Sequence, residues 1–140
     1  DDDSILAERT KKWVINYVWN QDHDENLSDF LVRKVAKNYE YISRNFSRTF
    51  GKTIERYGLL LKVERVKELI ENDKLNFSEI AYDLGYHNPS ALSRQFKRET
   101  GMTLKEYKNL DISSRIPIDK IYNMVIEDKH ITLYLYGTGK

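Results

Sequence analysis

The chain has 140 residues, enough for one globular domain or two very small ones sharing a core, and too few for a separate catalytic domain beside them. Its 40% hydrophobic and 32% charged content suits a folded, helical, cytoplasmic protein, with no apolar run near the roughly 18 residues of a membrane span and no leader-like opening. The absence of Cys removes disulfides, thiolate metal sites and a Cys nucleophile, and the net charge of +1 excludes a strongly basic or acidic chain as a whole.

In chain order, residues 1 to 27 hold three Lys/Arg against seven Asp/Glu, and the opening Asp1-Asp2-Asp3 without a Met reads as an excised or processed chain with something missing upstream. Leu27 to Ala36 is expected to form a short helix, with Ser28 as its N-cap and Ala36 at the turn that follows. Asn38 then caps a helix whose apolar face is Ile42, Phe46 and Thr49/Phe50, and whose other face is Ser43, Arg44, Ser47 and Arg48. Gly51 supplies a left-handed stop and Thr53 the cap of the next helix. Ile54 to Glu71 carries Leu60, Leu61, Val63, Val66, Leu69 and Ile70 with no Pro and a single Gly, Gly58, and reads as one helix of eighteen residues. At ~1.5 Å rise per residue it would span roughly 27 Å.

Asn76 caps a further short helix over Phe77 to Leu84; Gly85 turns the chain and Tyr86 plugs the turn. Asn88 and Pro89 start the next helix, with Leu92 and Phe96 inward, Gly101 as its stop and Thr103 as the next cap. Beyond Leu110, the runs Lys120 to Ile126 and His130 to Tyr136 flank a polar turn and read as a small hairpin, although the first run also fits a helix. Such a hairpin would pack on the helical body, a partner or a second copy of itself.

The segments repeat. Ile42 to Tyr57, ISRNFSRTFGKTIERY, aligns without a gap on Leu92 to Tyr107, LSRQFKRETGMTLKEY, with seven of sixteen residues identical at an offset of fifty. Each copy follows a short helix and a turn, which makes two helix-turn-helix motifs. Residues 28 to 110 hold sixteen Lys/Arg against eleven Asp/Glu, and residues 111 to 140 hold four of each, so the basic excess lies where a phosphate footprint belongs. Arg44 and Arg94 share one repeat position on solvent-facing surfaces, where an Arg can bind guanine O6 and N7 in bidentate fashion; the plainer alternative is pairing with a nearby acid or with phosphate. Ser47, Arg48, Lys97 and Arg98 lie further along the helices and would meet the backbone, a solvated charge being the plainer alternative for Arg48, Lys97 and Arg98; the helix starts at Thr53 and Thr103 could also hold a phosphate, although their plainer role is capping. Phe46, Phe96, Tyr57, Tyr107, Ile80, Ala81 and Leu84 belong to the core, and Trp13 and Trp19 pack the first helix on it or face a missing neighbour. His23, His87 and His130 lack partners at ligand spacing, and no phosphate loop, carboxylate pair or nucleophile elbow appears, so no catalytic residue, metal site or cofactor is expected.

These residues resemble the DNA-binding domain of the AraC/XylS family of bacterial transcription regulators over about residues 5 to 110. The most specific stretches are SEIAYDLGYHNPSALSRQFKRETGMTLKEY, Ser78 to Tyr107, and the linker-like FGKTIERYGLLLKVERVKELI, Phe50 to Ile70. The resemblance implies an all-α fold of seven helices: Ile5 to Trp19 the first, Tyr39 to Thr49 and Ser90 to Thr100 the two recognition helices. Glu40, Ser43 and Arg44 would face bases from one, and Pro89, Ser90, Ser93 and Arg94 from the other. Leu104 stands where the family usually has Pro, Lys62 where it usually has Arg, and thirty residues follow Leu110 where the family normally stops soon after.

The expected organisation is an N-terminal helix and acidic loop over 1–26, helix-turn-helix motifs over 27–53 and 73–110, a linker helix over 54–72 and an extension over 111–140. The expected function is sequence-specific binding of double-stranded DNA, with two helices in successive major grooves, which lie ~34 Å apart on one face. Partners would be DNA, RNA polymerase and a second copy, joined through the tail or an upstream domain. The rival expectation is a protein-interaction module on the same fold with weak or lost DNA binding, using the tail. A third possibility is that one helix reads bases while the other touches only backbone.

Overall fold

The computed structural model describes residues 2–20 and 24–110. They form seven α-helices and no strand: α1 (Asp2–Trp19), α2 (Leu27–Val35), α3 (Tyr39–Phe50), α4 (Ile54–Asn72), α5 (Phe77–Asp83), α6 (Pro89–Thr100) and α7 (Leu104–Lys108). The hairpin expected beyond residue 110, with His23 and His130, lies outside the described residues. The all-α fold expected from the sequence is the fold observed, and the chain divides within α4, one compact unit ending at Leu61 and a second beginning at Lys62.

In the first unit, Leu6, Ala7, Thr10, Val14 and Val18 recur at helical spacing and give α1 one buried stripe against α2 and α3. The Thr10 hydroxyl, fully buried, donates to the Leu6 carbonyl at 3.0 Å, so the polar atom enters the core satisfied. Phe30 on α2 meets Trp13 edge-on at 6.0 Å and Tyr17 at 5.1 Å, and the Tyr17 hydroxyl donates to the Glu25 carbonyl at 2.9 Å. Trp13 therefore packs on the core, as expected, while remaining half exposed.

The cap of α2 differs from the expectation. Asn26, not Ser28, takes the extended capping conformation and accepts from the Asp29 amide at 2.8 Å; the Ser28 hydroxyl donates to the same Asn26 oxygen at 2.9 Å. The chain leaves α2 through Ala36 in the left-handed conformation, φ 65°, which L residues with a Cβ adopt at a cost. In the second unit the matching turn places Gly85 at φ 83°.

There, Val63, Val66, Leu69 and Ile70 of α4 are buried, as are Ile80, Ala81, Leu84, Leu92 and Phe96. Asn76 and Glu79 bond reciprocally across the first turn of α5, and Thr103 and Glu106 do the same for α7. Tyr86 plugs the turn: its amide donates to the Ala81 carbonyl at 2.9 Å, its hydroxyl bonds Gln95, and the Lys62 ammonium lies 4.6 Å from its ring centroid. Burial raises the Tyr86 hydroxyl pKa and lowers that of Lys62. Leu104 fills the first helical position of α7 as a buried side chain, and Tyr107 packs edge-on to Phe96 at 5.8 Å while its hydroxyl bonds Glu71 at 2.6 Å.

Candidate nucleic-acid interface

Two helices present polar faces to solvent, α3 in the first unit and α6 in the second. Each starts at an Asn whose side chain accepts from the third following amide, Asn38 from Tyr41 at 2.8 Å and Asn88 from Ala91 at 2.9 Å. Each stops at a left-handed Gly, Gly51 at φ 75° and Gly101 at φ 78°. Both are twelve residues long. The tip of α3 is further held by Tyr39, whose hydroxyl bonds Glu55 on the first turn of α4; burial and that carboxylate raise its pKa.

Ile42 and Phe46 are buried as the periodicity predicts, but the inner face of α3 is completed by Asn45 rather than Thr49, which is exposed. The Asn45 amide donates to the Asp3 carbonyl on α1 at 3.0 Å, a partner 42 residues away. On the outer face Glu40, Arg44 and Arg48 are exposed and Ser43 and Ser47 half-exposed. Arg44 lies 3.2 Å from Glu40, one turn back, and Arg48 lies 3.9 Å from Asp3. Exposed pairs of this kind contribute about 0.2–1 kcal/mol, so a competing anion or base edge can displace them. Tyr41, 43% exposed, adds an aromatic edge that sequence reasoning did not single out, with the Lys37 ammonium 5.8 Å from its ring centroid. A Lys just before a helix N-cap was the available signal.

On α6, Leu92, Phe96 and Thr100 point inward. Ser90, Ser93, Arg94, Lys97 and Arg98 are exposed, and Pro89 is half-exposed at the first helical position. Arg98 lies 3.7 Å from Glu99, and Lys97 is close enough to Glu106 to help lower its pKa, behind the larger effect of the Thr103 amide. Arg94 has no carboxylate within ion-pair distance among the described residues. The two equivalent arginines thus stand in different electrostatic surroundings. Thr53 and Thr103 are exposed at the helix starts, each hydroxyl accepting from an amide three residues on, at 3.0 Å in both cases.

No group of three or more His, Asp or Glu is placed to hold a metal ion among the described residues, and none of their helices is long and apolar enough to cross a membrane.

Two polar-faced helices, each behind a short helix and a turn, define a double helix-turn-helix domain. A family profile described as a helix-turn-helix domain matches residues 31–109. The Msm operon regulatory protein of Streptococcus mutans is 27% identical over 69% of this chain, a match that covers 36% of that protein. The transcriptional activator RhaR of Escherichia coli is 29% identical over 50% of this chain and 25% of its own length. The C-terminal domain of AraT, a response regulator from Geobacillus stearothermophilus, superposes with a TM-score of 0.65 at 19% identity, covering 80% of this chain and 91% of that one, and so shares the fold. The chain belongs to the AraC-type helix-turn-helix family, the DNA-binding domains of transcription regulators, and spans about a third of the Msm regulator's length.

Proposed function

We propose that this domain binds double-stranded DNA sequence-specifically, with α3 and α6 entering successive major grooves of one site. The segments 27–53 and 73–110 act as reading heads and 54–72 as the spacer. The observation that carries this reading is the recurrence of an exposed Arg at one repeat position, Arg44 and Arg94, on two helices capped and stopped alike. Glu40, Ser43 and Arg44 face bases from the first head, and Pro89, Ser90, Ser93 and Arg94 from the second. Ser47, Arg48, Thr53, Lys97, Arg98 and Thr103 meet the phosphate backbone, fixing register rather than sequence.

The domain acts in the cytoplasm, recruiting or blocking RNA polymerase. A gel-shift titration over salt on a site selected from a random library tests the reading. Affinity should fall steeply with salt, and Arg44→Ala and Arg94→Ala should each cost about 1–3 kcal/mol and relax different positions of the site. Affinity independent of salt, or unchanged in the double variant, contradicts it. Partner capture that survives loss of DNA binding and disappears on deleting residues 112–140 supports the protein-interaction reading instead.

A further inference from the structure

The first unit carries cations that neither recognition helix uses. Arg9 and Lys12 on α1, Lys34 on α2 and Lys37 in the following turn have no carboxylate within ion-pair distance among the described residues, whereas Lys11 and Arg33 of the same unit pair with Glu8 and Glu25. The four are contiguous. Arg9 and Lys12 line an open depression of about 280 Å³ with Trp13 and Asn16. The Lys34 ammonium lies 4.7 Å from the Trp13 ring centroid. Arg9 also lines a neighbouring depression of about 320 Å³ that Lys37 and Tyr41 share. Tyr41 belongs to the first turn of α3, so the strip adjoins the tip of the first recognition helix. Asp2 and Asp3 stand at the rim of the second depression, and Asp3 is the carboxylate beside Arg48.

We propose that this strip is a second DNA contact: the phosphate backbone flanking the first half-site runs over Arg9, Lys12, Lys34 and Lys37, outside both major-groove helices. The inference rests on the DNA-binding reading above. Charge complementarity and continuity with α3 select duplex DNA over an acidic protein surface. Cations held over Trp13 and Tyr41 are partly ordered before binding, which reduces what an incoming phosphate must immobilise. The strip would add affinity and extend the footprint on one side without adding base preference.

The test compares two duplexes, the selected site alone and the same site extended by about one helical turn beyond the first head. Binding is followed by fluorescence anisotropy from about 50 to 300 mM salt. Changing Arg9, Lys12, Lys34 and Lys37 together to Gln should reduce the slope of log affinity against log salt by roughly 3.6 on the extended duplex, at about 0.9 per phosphate lost, and leave it unchanged on the short one. A scrambled extended duplex should lose the same slope, which separates this result from failure of base reading: wild type would then fail to prefer the selected over the scrambled core. The double variant Lys12→Gln/Lys37→Gln, which leaves the cover of Trp13 in place, should show about half the effect and guards against a folding defect in the quadruple variant. Equal slopes for wild type and both variants on the extended duplex overturn the proposal. So does loss of poly-glutamate binding in the variants with DNA binding intact, which would assign the strip to an acidic polypeptide.

Discussion

Arg44 and Arg94 show how one repeat position acquires two chemistries. The Arg44 guanidinium rests against Glu40, so DNA must displace or share that carboxylate, whereas Arg94 has no such counter-charge among the described residues. Replacing Glu40 with Gln keeps a hydrogen-bonding side chain, removes a phosphate-repelling charge and releases Arg44. Affinity for unrelated duplex should rise about twofold, the equivalent of the roughly 0.3–0.5 kcal/mol of an exposed pair. An anisotropy titration in which the variant binds unrelated duplex no better, or worse, would show that Glu40 does not restrain this helix. Ala36 poses a question of stability. A Cβ at φ 65° costs on the order of 1 kcal/mol, and its counterpart in the second turn is Gly85 at φ 83°. Ala36→Gly should raise the denaturant midpoint by about 1 kcal/mol of stability, and a lower midpoint would mean that the Ala36 methyl makes contacts worth more than the strain.

At the level of elements, caps and stops set the lengths of α3 and α6, and they were legible because Asn38, Asn88, Gly51 and Gly101 act locally. The cap of α2 was misread because Asn26 and Ser28 are both capping types two residues apart, and only the extended backbone at Asn26 decides between them. Asn45 was also missed: it stands three residues after Ile42 on the inner face, but a polar Asn there reads as solvated, and its burial depends on a carbonyl in α1 that no local pattern reveals. The buried Glu64 and Lys67 of α4, 3.2 Å apart, were hidden in the same way among residues that look like a solvated face. Gly58, in the second turn of α4, has room for a methyl group, since an added Cβ would stand 3.5 Å from Leu27 and 3.8 Å from Val14. Gly58→Ala should stabilise by up to about 1 kcal/mol through helix propensity, read as a higher thermal midpoint. In α7 the Thr103 amide holds the Glu106 carboxyl below its ordinary value. Its stabilising effect is therefore complete above the unfolded-chain pKa and disappears as pH falls through the lower folded value. Thermal melts taken down the acid range should fall less steeply for Glu106→Gln, and parallel curves would show that the capping carboxylate does not contribute.

For the whole molecule, the repeat of fifty residues made the two-head organisation readable before any coordinate, and the division of the chain within α4 gives each head its own core. Pairing of Arg44 with Glu40, and the strip of cations on α1, α2 and the following turn that lacks carboxylate partners among the described residues, depended on which charges meet in space, and composition averaged both into a net charge of +1. The central claim is that both heads read one site in adjacent grooves. Guanine-methylation interference on a selected duplex tests it most directly. The account predicts two clusters of interfering guanines about one helical turn, roughly 10 base pairs, apart on one face, one lost in Arg44→Ala and the other in Arg94→Ala. A single cluster, lost only in Arg94→Ala and indifferent to Arg44→Ala, would contradict it.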